Sequence, residues 1–205
     1  MTYNLYHQEP YGRAEAIKLT LWYAKAEYTV HAHSVADLQG LVAEGKITSE
    51  FGDFPVLEKD GKFYAKGPAI LRYLARTHGL YPTDPALAYQ VDSTLEHVRD
   101  LMQKLVPIAL ETDEEVKKEK GKEALTVFLP NWLSAHEKRV TANGHENFLV
   151  GDKLTIADIQ FLGLVRVLFK NEKVPFHEQL LGVFSQFPKL NALVDNLSKH
   201  FEGYQ

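Results

Sequence analysis

The spacing of apolar and polar positions changes several times along this chain. Tyr3, Leu5 and His7 alternate with Asn4 and Tyr6, which predicts a short aromatic strand over Thr2 to His7. From Gly12 to Ala24 the period lengthens. Ala14, Ile17, Leu21 and Ala24 recur at helical spacing, with Arg13, Glu15 and Lys18 on the other side, so an amphipathic helix is expected. Tyr28, Val30 and Ala32 return to alternation and predict a second strand over Tyr28 to His33. After a variable stretch, Val56 to Glu58 and Lys62 to Ala65 read as strands around Asp60-Gly61, a dipeptide favoured in two-residue hairpins because Gly accepts positive φ. Gly67-Pro68 then suits a helix start, with Gly as N-cap and Pro at the first helical position, and the helix should run to about Thr77. A βαβ unit followed by ββα is the simplest topology.

Leu80-Tyr81-Pro82-Thr83-Asp84-Pro85 breaks the pattern, and no strand signal follows it. Two domains are therefore expected, a small α/β domain over residues 1–81 and an all-helical domain over 86–205. Helices are predicted near 86–110, 114–140, 155–170 and 188–201, with Pro107 and Pro130 kinking or ending the first two. Between Asp158 and Arg166 no charge occurs, and Ile159, Phe161, Leu162, Leu164 and Val165 cover every side, as in the central helix of a bundle. Thr155-Ile156-Ala157-Asp158 before it fits a capping box, a motif that serves folding.

Composition narrows the function. The chain has 205 residues, 45% hydrophobic and 24% charged, which is ordinary for a globular protein. A formal net charge of −4 supplies no basic field for nucleic acid or anionic lipid. There is no Cys, which removes disulfides, thiolate metal sites and nucleophilic thiols. His31 and His33 share one strand face but have no evident third ligand, so no metal site is expected. Met-Thr-Tyr-Asn-Leu-Tyr-His lacks the character of a signal peptide, and no apolar run of about 18 residues is present, so a cytoplasmic protein off the membrane is expected.

Three short motifs in order, with Leu149-Val150-Gly151 and the capping box after them, carry a family resemblance. Tyr11-Gly12-Arg13-Ala14-Glu15 is similar to the Arg-Gly-Arg-Ala-Glu run opening the first helix of sigma-type glutathione transferases. Phe54-Pro55-Val56-Leu57 resembles their cis-proline segment, and Ala69-Ile70-Leu71-Arg72-Tyr73-Leu74 their third helix. The resemblance covers essentially the whole chain. It implies the glutathione transferase fold, a thioredoxin-like domain followed by a helical one. It also implies glutathione as co-substrate, a small hydrophobic electrophile in an interdomain cleft, and a homodimer.

Carried over by residue, the resemblance assigns the backbone of Phe54, beside a cis Pro55, to the cysteinyl part of glutathione. Gly67 at the helix start receives the γ-glutamyl carboxylate, and Glu96 approaches the peptide's amino group in the dimer partner. Arg13 is a further binding candidate, its other reading being a structural pair with Glu15. The activating Tyr of sigma-type enzymes falls at His7, six residues before Arg13, with Tyr6 as the rival one position earlier. Strand alternation points these two in opposite directions. An imidazole can donate to a thiolate or take the thiol proton. Lys66-Gly67 stands where the family has Gln-Ser, and Lys46 is the candidate for the glycyl carboxylate. Tyr11 is a candidate electrophile contact or a staple of the helix start. The alternatives are a non-catalytic binding or scaffold subunit of this fold and a glutathione-dependent isomerase.

Overall fold

The computed structural model describes residues 2–9 and 12–204; Tyr11 lies outside them. The chain divides into two compact units, one of residues 1–81 with 203–205 and one of residues 82–202.

The first unit is a four-stranded mixed sheet with helices, the thioredoxin-like arrangement. In chain order its elements are β1 (Tyr3–Gln8), a 3₁₀ turn (Gly12–Ala14), α1 (Glu15–Tyr23), β2 (Tyr28–His33), α2 (Val35–Ala43), β3 (Val56–Lys59), β4 (Lys62–Ala65) and α3 (Gly67–Thr77). The sheet order is β2-β1-β3-β4, with β1 parallel to β2 and the other two pairings antiparallel. Leu5 sits opposite Leu57, and Leu57 opposite Tyr64, so Tyr3, Leu5 and His7 share one face with Leu57 and Tyr64. That face meets α3: the Tyr3 hydroxyl lies 3.2 Å from His78 Nε2, and the Tyr64 ring stacks on Tyr73 at 4.4 Å. Leu5, Leu57, Ile17 and Leu74 are fully buried, each adding about 1.5–3 kcal/mol of burial.

Asp60 and Gly61 both adopt positive φ, 52° and 73°, as the hairpin dipeptide requires. The variable stretch after β2 contains α2, which the apolar period did not single out. Ser34 caps it by accepting from the Asp37 amide at 3.1 Å, and it closes in a Schellman arrangement, with Lys46 N donating to Leu41 O and Gly45 N to Val42 O. At α3 the cap falls one residue earlier than expected. Lys66 is the N-cap with φ 69°, and Gly67 is already helical.

The second unit is helical: α4 (Pro85–Ala109), α5 (Glu114–Glu123), α6 (Leu129–Asn143), α7 (Ile156–Leu164), α8 (His177–Phe184) and α9 (Pro188–Lys199). Pro107 lies inside α4, which ends two residues later. Pro130 does not end its helix. A π turn over Ala124–Phe128 joins α5 to α6 just before it, the kind of adjustment that follows a missing proline N–H. A second π turn, Val165–Phe169, extends α7. The short α8 escaped the periodicity reading. Phe161, Leu162, Leu164, Val165 and Phe169 are buried, so α7 is central. Its capping box is present: Thr155 N and Oγ1 donate to Asp158 Oδ2 at 2.8 and 2.9 Å, and Leu149 N donates to Oδ1 at 2.6 Å.

Candidate functional site

The ends of three strands and the start of one helix meet at one edge of the sheet. Tyr6 pairs with Val56, so His7 comes level with Pro55. Val56 pairs with Ala65, the last residue of β4, and Lys66 begins α3 directly after it. The Phe54–Pro55 bond is cis. A Cβ placed on Gly67 would lie 3.8 Å from Pro55 Cγ and 3.9 Å from the Arg13 carbonyl oxygen. The backbone of Arg13, the Pro55 ring and the start of α3 thus converge.

His7 and Tyr6 diverge. His7 stands on the helix-covered face and is half-buried. Its Nδ1 lies 3.1 Å from the Gln8 carbonyl oxygen. A carbonyl only accepts, so Nδ1 carries the hydrogen and the neutral ring keeps its lone pair at Nε2. Burial pushes the imidazole below its ordinary range; the Gln8 carbonyl, Glu9 and Glu15 act against that and Lys18 adds to it. Tyr6 points to the opposite face, stacked on His31 with ring centroids 4.5 Å apart. His31 Nε2 in turn lies 3.1 Å from Asn4 Oδ1. Burial and the Glu58 carboxylate raise the Tyr6 phenol, so it stays protonated and can only donate or stack at neutral pH.

At the start of α3 most polar groups are already engaged. The amides of Ala69 and Ile70 both donate to the Lys66 carbonyl, at 2.8 and 3.0 Å, and Pro68 has no N–H. Gly67 N–H is left as the first-turn donor without an intrahelical partner. The Lys66 ammonium is paired with Asp53 and lies 5.1 Å from the Phe51 ring centroid, so its charge is partly engaged. Lys46 pairs with Glu44 at 2.7 Å beyond the end of α2. Glu96 belongs to the second unit, where it pairs with Arg99 at 3.2 Å.

The second unit holds a polar cluster that the sequence reading passed over. His97 Nδ1 and His136 Nε2 are 3.2 Å apart, Trp132 Nε1 donates to the His97 carbonyl at 2.8 Å, and the Trp132 and Phe161 rings flank His136 at 4.2 and 5.1 Å. Burial, with His97 and Arg139 adding to it, lowers His136 to about 3. The signal was present: His136 falls on the apolar stripe of α6 with Trp132, Leu133 and Val140. Among the described residues, no group of three or more His, Cys, Asp or Glu is placed to hold a metal, and no helix is long and apolar enough to cross a membrane.

Comparison with known proteins bears on the family and the fold. Residues 99–201 match the family model described as glutathione S-transferase, C-terminal domain. The chain is 32% identical over 163 residues to glutathione S-transferase 2 of Manduca sexta, covering 76% of this chain and 79% of that one. It is 30% identical over 198 residues to glutathione S-transferase P of Bos taurus, covering 96% and 87%. A monomeric glutathione S-transferase of Necator americanus superposes with a TM-score of 0.78 at 25% identity, over 100% of this chain and 98% of that one. The resemblance read from the sequence and these matches over most of the chain lead to one assignment: this chain belongs to the glutathione S-transferase family.

Proposed function

We propose that this protein conjugates reduced glutathione to small hydrophobic electrophiles, with His7 as the group that activates the thiol. The observation that carries this reading is the His7 ring itself. Its Nδ1–H is committed to the Gln8 carbonyl, and its free Nε2 lone pair sits at the strand end that also carries cis Pro55 and the start of α3.

The fixed tautomer selects between the two roles an imidazole could take. Neutral His7 has no hydrogen at Nε2 to offer a thiolate, so it acts as a base. The glutathione S–H bond breaks and its proton goes to Nε2. The sulfur lone pair then forms the C–S bond, and the electrons it displaces go to the electrophile or its leaving group. The imidazolium afterwards hydrogen-bonds through Nε2–H and returns its proton to that group or to water. Burial keeps His7 neutral at pH 7 and so ready to accept. The Phe54 backbone, Gly67 N–H, Lys66, Lys46 and Arg13 are the proposed glutathione contacts, with Glu96 acting across a homodimer. A cytoplasmic setting suits such a protein, since reduced glutathione is abundant there.

A second reading has its own observation. With two first-turn amides turned onto the Lys66 carbonyl and the Lys66 ammonium on Asp53, the carboxylate seat has few donors to spare. That suits a non-catalytic binding subunit. Calorimetric titration with reduced glutathione at neutral pH separates the two. Saturable binding below about 1 mM, roughly 4 kcal/mol, supports the transferase; absence of binding overturns it in favour of the subunit.

A further inference from the structure

Lys66 caps α3, and Asp53 stands two residues before cis Pro55, so the ion pair between their side chains ties together the same two segments that meet at Pro55 and Gly67. The stretch that carries Asp53 is a tight loop. Gly52 N donates to the Ser49 carbonyl at 3.1 Å, and Ser49 Oγ donates to the Asp53 carbonyl at 2.7 Å. Its Phe51 ring is exposed and lies 5.1 Å from the Lys66 ammonium, so one loop supplies both the carboxylate and the aromatic face that hold this cation. The pair is accessible to water: the Lys66 and Asp53 side chains are 47% and 51% exposed. An exposed ion pair is weak because water screens both charges, and a lysine's flexible stem lets its ammonium change partners. The Gly67 N–H stays at the helix start, while the neighbouring cation is drawn onto Asp53.

We propose that Asp53 sets the affinity for glutathione by competing with the γ-glutamyl carboxylate for the Lys66 ammonium. This rests on the reading of the α3 start as the seat of that carboxylate, and it deepens that reading. Asp53 is a positioning residue that acts through Lys66. Binding is then an exchange of partners: the Lys66 ammonium leaves Asp53, whose carboxylate returns to water, and takes the peptide's carboxylate beside the Gly67 N–H. One ion pair is lost for each one formed. The helix start therefore contributes less to binding than the same two donors would with the lysine free.

The test is calorimetric titration of the full chain with reduced glutathione, for the parent, Asp53→Asn, Asp53→Ser, Lys66→Met and the double variant Asp53→Asn/Lys66→Met. Two substitutions at Asp53 are used so that if one folds poorly the other still reports. Freeing the lysine should lower Kd about two- to fivefold, the range an exposed ion pair is worth. In the Lys66→Met background the same change at Asp53 should leave Kd in place, because no cation remains to be released. The effect should also vanish with γ-aminobutyryl-cysteinyl-glycine, which lacks the α-carboxylate; a residue that merely shapes the loop would alter both peptides alike. An unchanged or raised Kd in folded Asp53 variants of a parent that binds glutathione overturns the competition and leaves the glutathione reading standing. A gain that persists without Lys66 also overturns it, since Asp53 would then act by its own charge. If the parent fails to bind and Asp53→Asn binds saturably, the competition stands and the parent is the non-catalytic subunit. If neither binds, both readings fall.

Discussion

Tyr6 and His31 lie face to face across two parallel strands, their ring centroids 4.5 Å apart and their planes 12° from parallel. This stack holds the hydroxyl of Tyr6, the rival candidate, on the face opposite the one His7 occupies.

The two candidates therefore separate by mutation. His7→Phe should lower kcat/KM for conjugation at least about tenfold, about 1.4 kcal/mol of transition-state stabilisation. Tyr6→Phe keeps the stack and should cost less than about threefold, under about 0.7 kcal/mol. Because burial lowers the His7 pKa, the rate should fall on the acid side with a midpoint below the ordinary 6.5, as the base becomes protonated. Steady-state kinetics across pH check this, and the reverse ranking of the two variants would assign the chemistry to Tyr6.

Gly67→Ser should strengthen glutathione binding. The nearest atoms to an added Cβ are 3.8 and 3.9 Å away, ordinary contact distances, so the substitution fits without displacing Pro55 or Arg13. The new hydroxyl adds a donor at the start of α3, and a hydrogen bond to a charged group is worth about 1.5–3 kcal/mol before ordering costs. Calorimetry should show a severalfold lower Kd; an unchanged or higher Kd would mean that the carboxylate does not sit at this helix end.

His136 makes the second unit sensitive to acid. Its folded pKa of about 3 lies below the unfolded 6.5, so the stabilisation is complete above pH 6.5 and is lost as pH falls toward 3. The stake is on the order of several kcal/mol. His136→Gln does not titrate, and urea denaturation at pH 7 and pH 4 should show a smaller loss of stability in the variant than in the parent.

Asp158→Ala should be among the most destabilising single changes. It strands the Leu149 amide and the Thr155 amide and hydroxyl in a fully buried position. Each unsatisfied donor costs about 1–3 kcal/mol, so the urea midpoint should drop sharply while any surviving folded fraction still binds glutathione.

The sequence alone determined what depends on near neighbours. The alternation at Tyr3, Leu5 and His7, the Asp60-Gly61 turn and the Thr155/Asp158 box are each satisfied within a few residues, so period and local hydrogen bonding sufficed to read them. α2 and the short α8 were missed because they are short and bury little: only Leu38 in α2, and Leu180 and Phe184 in α8, are buried, too few to set a clear period. Tertiary structure decided what depends on distant partners. Only pairing with β2 laid Tyr6 on His31, and only the meeting of α4 with α6 joined His97 to His136. Chain spacing named His7 as a candidate. The bond from its Nδ1 to the carbonyl of the next residue, Gln8, set its tautomer, and packing of the helix-covered face half-buried the ring. That burial is a property of three-dimensional packing, which no periodicity encodes.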